Sequence, residues 1–393
     1  MRHNWNYKTI GDVCTSVTDG SHNPPKGIDK SDYRMISSQN IFDDNLILTD
    51  DSVRYLSKEN HIIEDKRTRL QKDVVLLTIV GTIGRACILT GNEGPLTLQR
   101  SVAALHPSEE ILPRFLLHTL IGNRTTLNQE AHGIAQKGLY LKQLSALRIP
   151  VPTIEEQQKI VSELDKINEL IRLKKEQLKD YDNLAQSIFY EMFGDPVVNE
   201  KGWEVKKLGE VAMIKTGPFG SMLHKEDYIT GGIPLINPMH IQNFKAVPDK
   251  DFTISKEKAA ELCNYHLKIN DVIFARRGDI GRCAVISDKE AGYLCGTGSL
   301  FVRFERKLSS IYTMYVVRTT SFIKELVSKA KGATMLNLNS STMENLRFPI
   351  PPLPLQQLFA QRIELIEKQK AEVQRTISDL ETLLASRMQY WFD

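Results

Sequence analysis

Cysteine is scarce and unpatterned in this 393-residue chain: Cys14, Cys87, Cys263, Cys283 and Cys295, with no Cys-x-x-Cys among them. An odd count without metal spacing speaks against a disulfide framework and a structural zinc site, and fits reduced, partly buried thiols in a cytosol. Nine histidines are scattered with no His-x-x-x-His pair, so no metal site is expected. No Gly-x-x-x-x-Gly-Lys-Ser/Thr loop is present, which removes P-loop binding of ATP. No run approaches 18 apolar residues, so no transmembrane helix is expected. The first residues, Met1-Arg2-His3-Asn4-Trp5-Asn6-Tyr7, lack the apolar stretch of a signal peptide. Net charge is small as well, +3 with a pI of about 8.4, short of the pI above about 9 that marks a dedicated basic DNA-binding domain. Local basic loops remain compatible with nucleic acid.

What is present is an ordinary globular composition, 41% hydrophobic and 25% charged, long enough for two or three domains. It is organised as a repeat. Leu147-Arg148-Ile149-Pro150-Val151-Pro152 returns as Leu346-Arg347-Phe348-Pro349-Ile350-Pro351, a shift of 346 − 147 = 199. The same shift carries Gln157-Gln158 onto Gln356-Gln357 and Phe193 onto Phe392. Upstream, Trp5-Asn6-Tyr7-Lys8-Thr9-Ile10-Gly11-Asp12-Val13 is echoed by Trp203-Glu204-Val205-Lys206-Lys207-Leu208-Gly209-Glu210-Val211, a shift of 203 − 5 = 198. A unit of this length is too long for a solenoid repeat. It is a duplicated domain followed by a duplicated helix.

Each copy reads as mixed α and β. The β-branched run from Asp73 to Val80, the turn Gly81-Thr82-Ile83-Gly84 and the run Arg85 to Leu89 predict two strands joined by a turn. Ser101 to Leu105 predicts a third strand, and Pro113 to about Asn128 a helix with Pro in its first turn. In the second copy Asp271-Val272-Ile273-Phe274, Gly278 to Arg282, Leu300 to Phe304 and a helix over Tyr312 to Lys329 follow in the same order. The frame is duplicated and the loops have diverged.

After each Pro-x-Pro element comes a long heptad pattern. The first has Ile160, Leu164, Ile167, Ile171, Leu178, Tyr181, Ala185, Ile188 and Met192, with Lys174 in the skipped slot. The second has Phe359, Ile363, Ile366, Lys370, Val373, Ile377, Leu380, Leu384, Arg387 and Trp391. Alternating steps of three and four over some five heptads are the seam of a coiled coil. About 38 residues at 1.5 Å make roughly 57 Å, longer than a small domain is wide, which disfavours an ordinary amphipathic helix. Thr153 and Glu156 form a capping box at the first start; Leu353 and Gln356 do not, so Pro352 and Pro354 mark the second. A pseudo-two-fold would make the two helices antiparallel, with Lys174 and Lys370 as register marks.

Several apparent signatures read better as turns. Asn23-Pro24-Pro25-Lys26 approaches the Asn-Pro-Pro-aromatic motif of amino-group methyltransferases, but Lys26 replaces the aromatic and no glycine-rich nucleotide loop accompanies it. Gly296-Thr297-Gly298 is a lone fragment of a dinucleotide fingerprint, and Arg277-Gly278-Asp279 is a coincidental adhesion tripeptide. No nucleophile, base and orienter can be assembled, so no catalytic residue and no bound cofactor are expected.

What remains is a set of polar and basic residues at matching loop positions. The first copy offers Ser21, His22, Asn23, Thr82, Arg85, Gln99, Arg100 and Lys137. The second offers Ser221, His224, Lys225, Asn237, Arg276, Arg277, Asp279, Arg282, Thr297, Ser299 and Lys331. Arg suits guanine and Asn or Gln suit adenine in the major groove, while Lys, Ser and Thr suit phosphates. Singly each is a solvated loop residue; shared placement makes them DNA-contact candidates.

Duplicated modules, each followed by Ile-Pro-Val-Pro or Phe-Pro-Ile-Pro, by Glu156-Gln157 or Leu355-Gln356, and by a long helix ending near Phe193-Gly194-Asp195 or at Phe392-Asp393, resemble the specificity (S) subunit of a type I restriction-modification system over the whole chain. The resemblance implies an α+β fold: a target recognition domain at 1–150, a spacer helix at 151–195, a second recognition domain at 196–349 and a second spacer helix at 350–393, the helices forming an antiparallel coiled coil. Each recognition domain would read one half of a bipartite double-stranded DNA site, in the cytoplasm. The helices would set the spacing and dock methyltransferase (M) subunits, two in number, which restriction/motor (R) subunits would join. S-adenosylmethionine, ATP and Mg would belong to those partners, with adenine-N6 methylation and DNA cleavage. Two other readings compete. A non-catalytic coiled-coil scaffold with protein-binding modules would lack DNA retention that falls steeply with salt, and a solitary methyltransferase would itself bind S-adenosylmethionine.

Overall fold

The structure, a computed structural model, describes residues 5–132, 137–278, 280–304, 308–330 and 337–392, without the Ser221 side chain. Packing divides the chain into two units, Met1–Lys175 with Gln374–Asp393, and Glu176–Val373. The division falls inside the two 40-residue helices, Ile154–Phe193 and Leu353–Phe392, so each helix contributes one part to each unit.

In the first unit, β1 (Cys14–Asp19), β2 (Val75–Thr78), β3 (Ala86–Ile88) and β4 (Val102–Pro107) form an antiparallel sheet in the order β1-β4-β2-β3. The sheet is covered on both faces, which explains the nearly continuous apolar run of β2. Alternation sorts its side chains: Val75 and Leu77 join Phe115, Leu116 and Ile160 in one core, while Leu76 joins Ile36, Leu98 and Ala104 in the other. A small sheet of Tyr33–Ile36, Arg54–Leu56 and Leu96–Leu98 and α1 (Lys58–Thr68) flank it. The helix expected over Pro113 to about Asn128 is two helices, α2 (Pro113–Gly122) and α3 (Arg124–Gln129). The break is at Asn123, whose backbone leaves the helical conformation (φ −85°, ψ 16°), and its amide Nδ2 donates at 2.9 Å to the Thr119 carbonyl that its own backbone amide also reaches.

The second unit repeats this plan. β5 (Ala212–Thr216), β6 (Val272–Ala275), β7 (Cys283–Val285) and β8 (Ser299–Phe304) take the order β5-β8-β6-β7. Its helical segment also departs from the expectation: Tyr312 to Lys329 is not continuous but splits into α4 (Ser310–Arg318) and α5 (Thr320–Lys329). Thr319 leaves the helical conformation and its Oγ1 accepts the Phe322 amide at 3.3 Å, starting a new helix as an N-cap.

The Pro-x-Pro elements are strands. Arg148–Val151 pairs antiparallel with Asn6–Thr9, and Arg347–Ile350 with Glu204–Lys207; proline is tolerated in such two-stranded edges. The long helix that follows starts at Ile154, where the Glu156 amide donates to Thr153 Oγ1 at 3.3 Å as the capping box requires.

Within each unit the two long helices run antiparallel. In the first, Lys175 Nζ meets Glu381 Oε1 at 2.8 Å, while Glu163 meets Arg387 and accepts from Trp391 Nε1 at 3.3 Å. In the second, Lys370 Nζ meets Asp182 Oδ1 at 2.9 Å, and Arg362 points to the Met192 sulfur at 3.9 Å. The seam follows the heptads through Ile160, Leu164, Ile167 and Ile171 and along Phe359, Ile363, Ile366, Val373 and Ile377, all buried. It then departs from the expectation: Ala185, Phe189 and Phe193 are buried, whereas Ile188 and Met192 are only partly so. A straight helix drifts about 20° per heptad against a strict 3.5-residue repeat, and three aromatic or small side chains at steps of four follow that drift. Phe189 and Phe193 pack edge-on to Phe359 at 5.7 and 5.3 Å. Lys370 is one of the polar residues in this seam. Burial acts to lower its pKa, but hydrogen bonds to Asp182 and Glu367 outweigh it and hold the ammonium above its usual range. Among the described residues no helix is long and apolar enough to cross a membrane.

Candidate nucleic-acid interface

Register places the first unit's candidates at one end of its sheet. Asp19 closes β1 opposite Ala103, Thr78 closes β2 opposite Val102, and Ala86 opens β3 opposite Leu77. The connections at that end are 20–23, 79–85 and 99–101. They are tied together by backbone bonds, Ser21 N to Leu98 O at 2.8 Å, Arg100 N to Ser21 O at 3.0 Å and Ile79 N to Ser101 O at 2.9 Å. Leu139 N joins them by donating to Ile79 O at 2.8 Å, beside a bridge between Val80 and Gly138. Ser21, His22, Asn23, Thr82, Arg85, Gln99, Arg100 and Lys137 therefore come from four separate segments to one sheet end. His22, Asn23, Thr82, Arg100 and Lys137 are exposed; Ser21, Arg85 and Gln99 are half-buried. The Arg85 guanidinium lies over the Phe42 ring, 5.1 Å from its centre, which fixes its direction.

The second unit assembles the same end from matching bonds. Leu338 N donates to Arg276 O at 2.8 Å, Arg276 N to Gly298 O at 3.1 Å and Gly217 N to Ser299 O at 3.0 Å. Arg276, Arg277, Arg282 and Thr297 lie at this end, with His224 and Lys225 exposed on the segment leaving β5. Arg276 Nε donates to Asn337 Oδ1 at 3.2 Å. Burial and the adjacent Arg277 both press the Arg276 guanidinium below its usual range, a crowding of like charge that a phosphate or base acceptor relieves. Two candidates are placed otherwise. Ser299 is fully buried at the start of β8 with no partner for its hydroxyl, so it packs inside the sheet and cannot touch a ligand. Asn237 is half-buried and bonds Tyr228, a positioning task for the turn that follows it. The side chain of Ser221, and Asp279 and Lys331, lie outside the described residues.

Two glycines make this end possible. A Cβ on Gly20 would stand 2.1 Å from Leu98 O, and one on Gly217 would stand 1.9 Å from Gly296 O. The backbones touch where the loops leave the outer strand, which only glycine permits.

The long helices begin at the opposite end. Beyond Pro107 of β4, Gln157 is fully buried; its Oε1 accepts from Leu112 N at 2.8 Å and its Nε2 donates to Glu110 O at 2.9 Å and Pro152 O at 3.0 Å. Gln356 does the same in the second unit, accepting from Ser309 N at 2.7 Å and donating to Pro351 O at 2.8 Å.

Sequence reasoning missed residues that only the fold brings here. Asp19, buried at the end of β1, bonds His22 Nε2 at 2.8 Å and also Arg67 from the last turn of α1. The N-cap Ser57 and the basic pair Lys66-Arg67 were a readable helix signal; their contact with Asp19 was not. Phe219, exposed beside Gly217, is a third.

Among the described residues no His, Cys, Asp and Glu group could hold a metal ion. Burial pushes the thiols of Cys14, Cys87 and Cys283 up to about 12, so they pack as neutral groups.

Residues 2–180 and 200–381 each match the type I restriction modification DNA specificity domain. The chain is 26% identical over 343 residues to the type I restriction enzyme MjaIX specificity subunit of Methanocaldococcus jannaschii, covering 80% of this chain and 77% of that protein. It is 32% identical over 148 residues to the EcoBI specificity subunit of Escherichia coli, covering 36% of this chain and 31% of that one. In fold it is similar to a chain in a structure of type I R-M complex assembly and conformational transition, with TM-score 0.61 at 18% identity over 99% of this chain and 97% of that one. It is also similar to the S subunit from M. genitalium, with TM-score 0.54 at 14% identity over 100% and 97%. Both copies of the repeat are accounted for by one description, and the chain belongs to the family of type I restriction modification DNA specificity domains.

Proposed function

We propose that this chain is the non-catalytic DNA-reading subunit of a type I restriction-modification complex, acting in the cytoplasm, in which each unit reads one half of a bipartite duplex site. The observation that carries this is the matched convergence of loop residues at one sheet end in both units, built by equivalent bonds around Gly20 and Gly217. Exposed Arg, Lys, Asn and His donors there suit base edges and phosphates. The helices, anchored at the far sheet end by Gln157 and Gln356, set the spacing between half-sites and carry the surface for two methyltransferase subunits. Adenine-N6 methylation with S-adenosylmethionine, and ATP- and Mg-dependent translocation and cleavage, fall to the partner subunits. The domain borders at residues 150, 195 and 349 are the proposed exchange points for swapping specificities.

The test is a genome-wide map of N6-methyladenine with and without the chain. Loss of a single bipartite motif is expected, and its gap calibrates the helices. An unchanged map would overturn the reading. DNA retention by the complex should also fall steeply with salt.

A further inference from the structure

Asp19 differs from the other acids near the candidate interface. It is 6% exposed, yet it stands at the sheet end, and both its oxygens are engaged by side chains that are themselves open to solvent. Oδ2 bonds His22 Nε2 at 2.8 Å and Oδ1 bonds Arg67 Nη2. The Arg67 side chain is 51% exposed and that of His22 55%. Among the described residues Asp19 is the one hydrogen-bond partner of the Arg67 guanidinium, so its other N–H groups remain for a ligand.

This arrangement is poorly suited to a phosphate. A buried carboxylate beside the guanidinium cancels much of its charge and repels a second anion. It is well suited to a neutral pair of acceptors in fixed geometry. A planar fork with one edge tied down keeps its direction and loses little rotamer freedom on binding. In a DNA groove the neutral partner that offers two acceptors to such a fork is the guanine edge, O6 with N7. Among the described residues the second unit has no such device. The position equivalent to Asp19 is Thr216, since 216 − 19 equals the Gly217 − Gly20 shift of 197, and His22 is replaced there by the exposed Phe219.

We propose that Arg67, oriented by Asp19, reads a guanine in the half-site bound by the first unit, and that His22 shares this support. The inference rests on the DNA-reading function proposed above. Arg67 is the specificity-determining residue; Asp19 is a positioning residue acting through it.

The experiment uses the full chain in its native complex. The half-site of the first unit is identified as the one that changes when residues 1–150 are exchanged. Each guanine in it is replaced in turn by 7-deazaguanine, which lacks the N7 acceptor. The wild type is expected to lose about tenfold in affinity at one position. Arg67→Ala should lose about as much on unmodified DNA and then be indifferent to 7-deazaguanine at that position. Arg67→Lys, which keeps the charge and loses the fork, should behave like Arg67→Ala, covering the case in which the alanine variant does not fold. Asp19→Asn should weaken the same discrimination while leaving the second half-site unaffected. A first half-site without guanine, a deaza profile identical in wild type and Arg67 variants, or a uniform loss across all sequences with a changed salt slope would each overturn the inference alone. Absence of any bipartite preference in the wild type would overturn the functional reading, and this inference with it.

Discussion

Gln157 accepts the backbone amide of Leu112 through Oε1 at 2.8 Å in a fully buried position. One neutral side chain thus joins the first turn of a 40-residue helix to the loop before α2, and Gln356 with Ser309 repeats the bond at 2.7 Å. An amide is the right group because it offers both a donor and an acceptor without the desolvation penalty of a charge.

Replacing Gln157 by Leu keeps the volume and orphans the Leu112 amide. The expected cost is about 2 kcal/mol, confined to the first unit, with faster hydrogen exchange at Leu112 and none at Ser309. Gln356→Leu should show the reverse pattern. Equal effects of either variant on both amides would contradict the assignment of one lock to each unit.

Gly20→Ala and Gly217→Ala each force a Cβ to about 2 Å from a carbonyl oxygen. Each should destabilise its own unit by about 3 kcal/mol and disturb its own half-site. Methylation assays on DNA carrying one altered half-site at a time would separate the two. A variant with wild-type stability and selectivity would show that the loops have another way out of the sheet.

Asp165 supplies a pH dependence. Burial acts to raise its pKa, but hydrogen bonds from His118 Nε2 at 2.7 Å and from Arg114 outweigh burial and hold the carboxyl below its usual range. A depressed folded-state pKa stabilises above the unfolded value of about 3.9 and is lost as pH falls through the lower folded value. Asp165→Asn should therefore be less stable than the wild type near neutral pH, and the gap between the two first-unit unfolding transitions, followed by circular dichroism, should close as pH falls below about 4. A gap that does not change with pH would argue against this contribution.

The helices as a spacer can be tested by length. One heptad added in register to both should extend them by roughly 10 Å, about three base pairs. Methylation should shift to a site with a correspondingly longer gap while each half-site sequence stays the same. Retention of the original gap would mean that the helices do not set it.

The duplication, the sheet strands around the Gly81–Gly84 turn and both long helices were legible because they rest on local pattern: β-branched runs, heptads and proline. The breaks at Asn123 and Thr319 were not, since each is one residue leaving the helical conformation inside an apolar periodicity that continues through it. The end of the first seam was misread for a related reason. Ile188 and Met192 keep the heptad, but the buried residues there are Phe189 and Phe193, at steps of four from Ala185.

The candidate set shows the same division. Arginines and lysines in matching loops could be found by their placement in the repeat, and most lie at the two sheet ends. Ser299 was included for its hydroxyl, yet strand pairing turns it inward. By itself, the sequence determined that there are two copies of one frame, that a long helix follows each, and that no cofactor loop or metal spacing accompanies them, because composition, period and spacing are properties of the linear chain. Only the tertiary structure decided which polar residues meet. Asp19 and Arg67 are separated by 48 residues and become partners because β1 and α1 pack side by side, and contacts of that kind are set by the sheet, not by the residues between them.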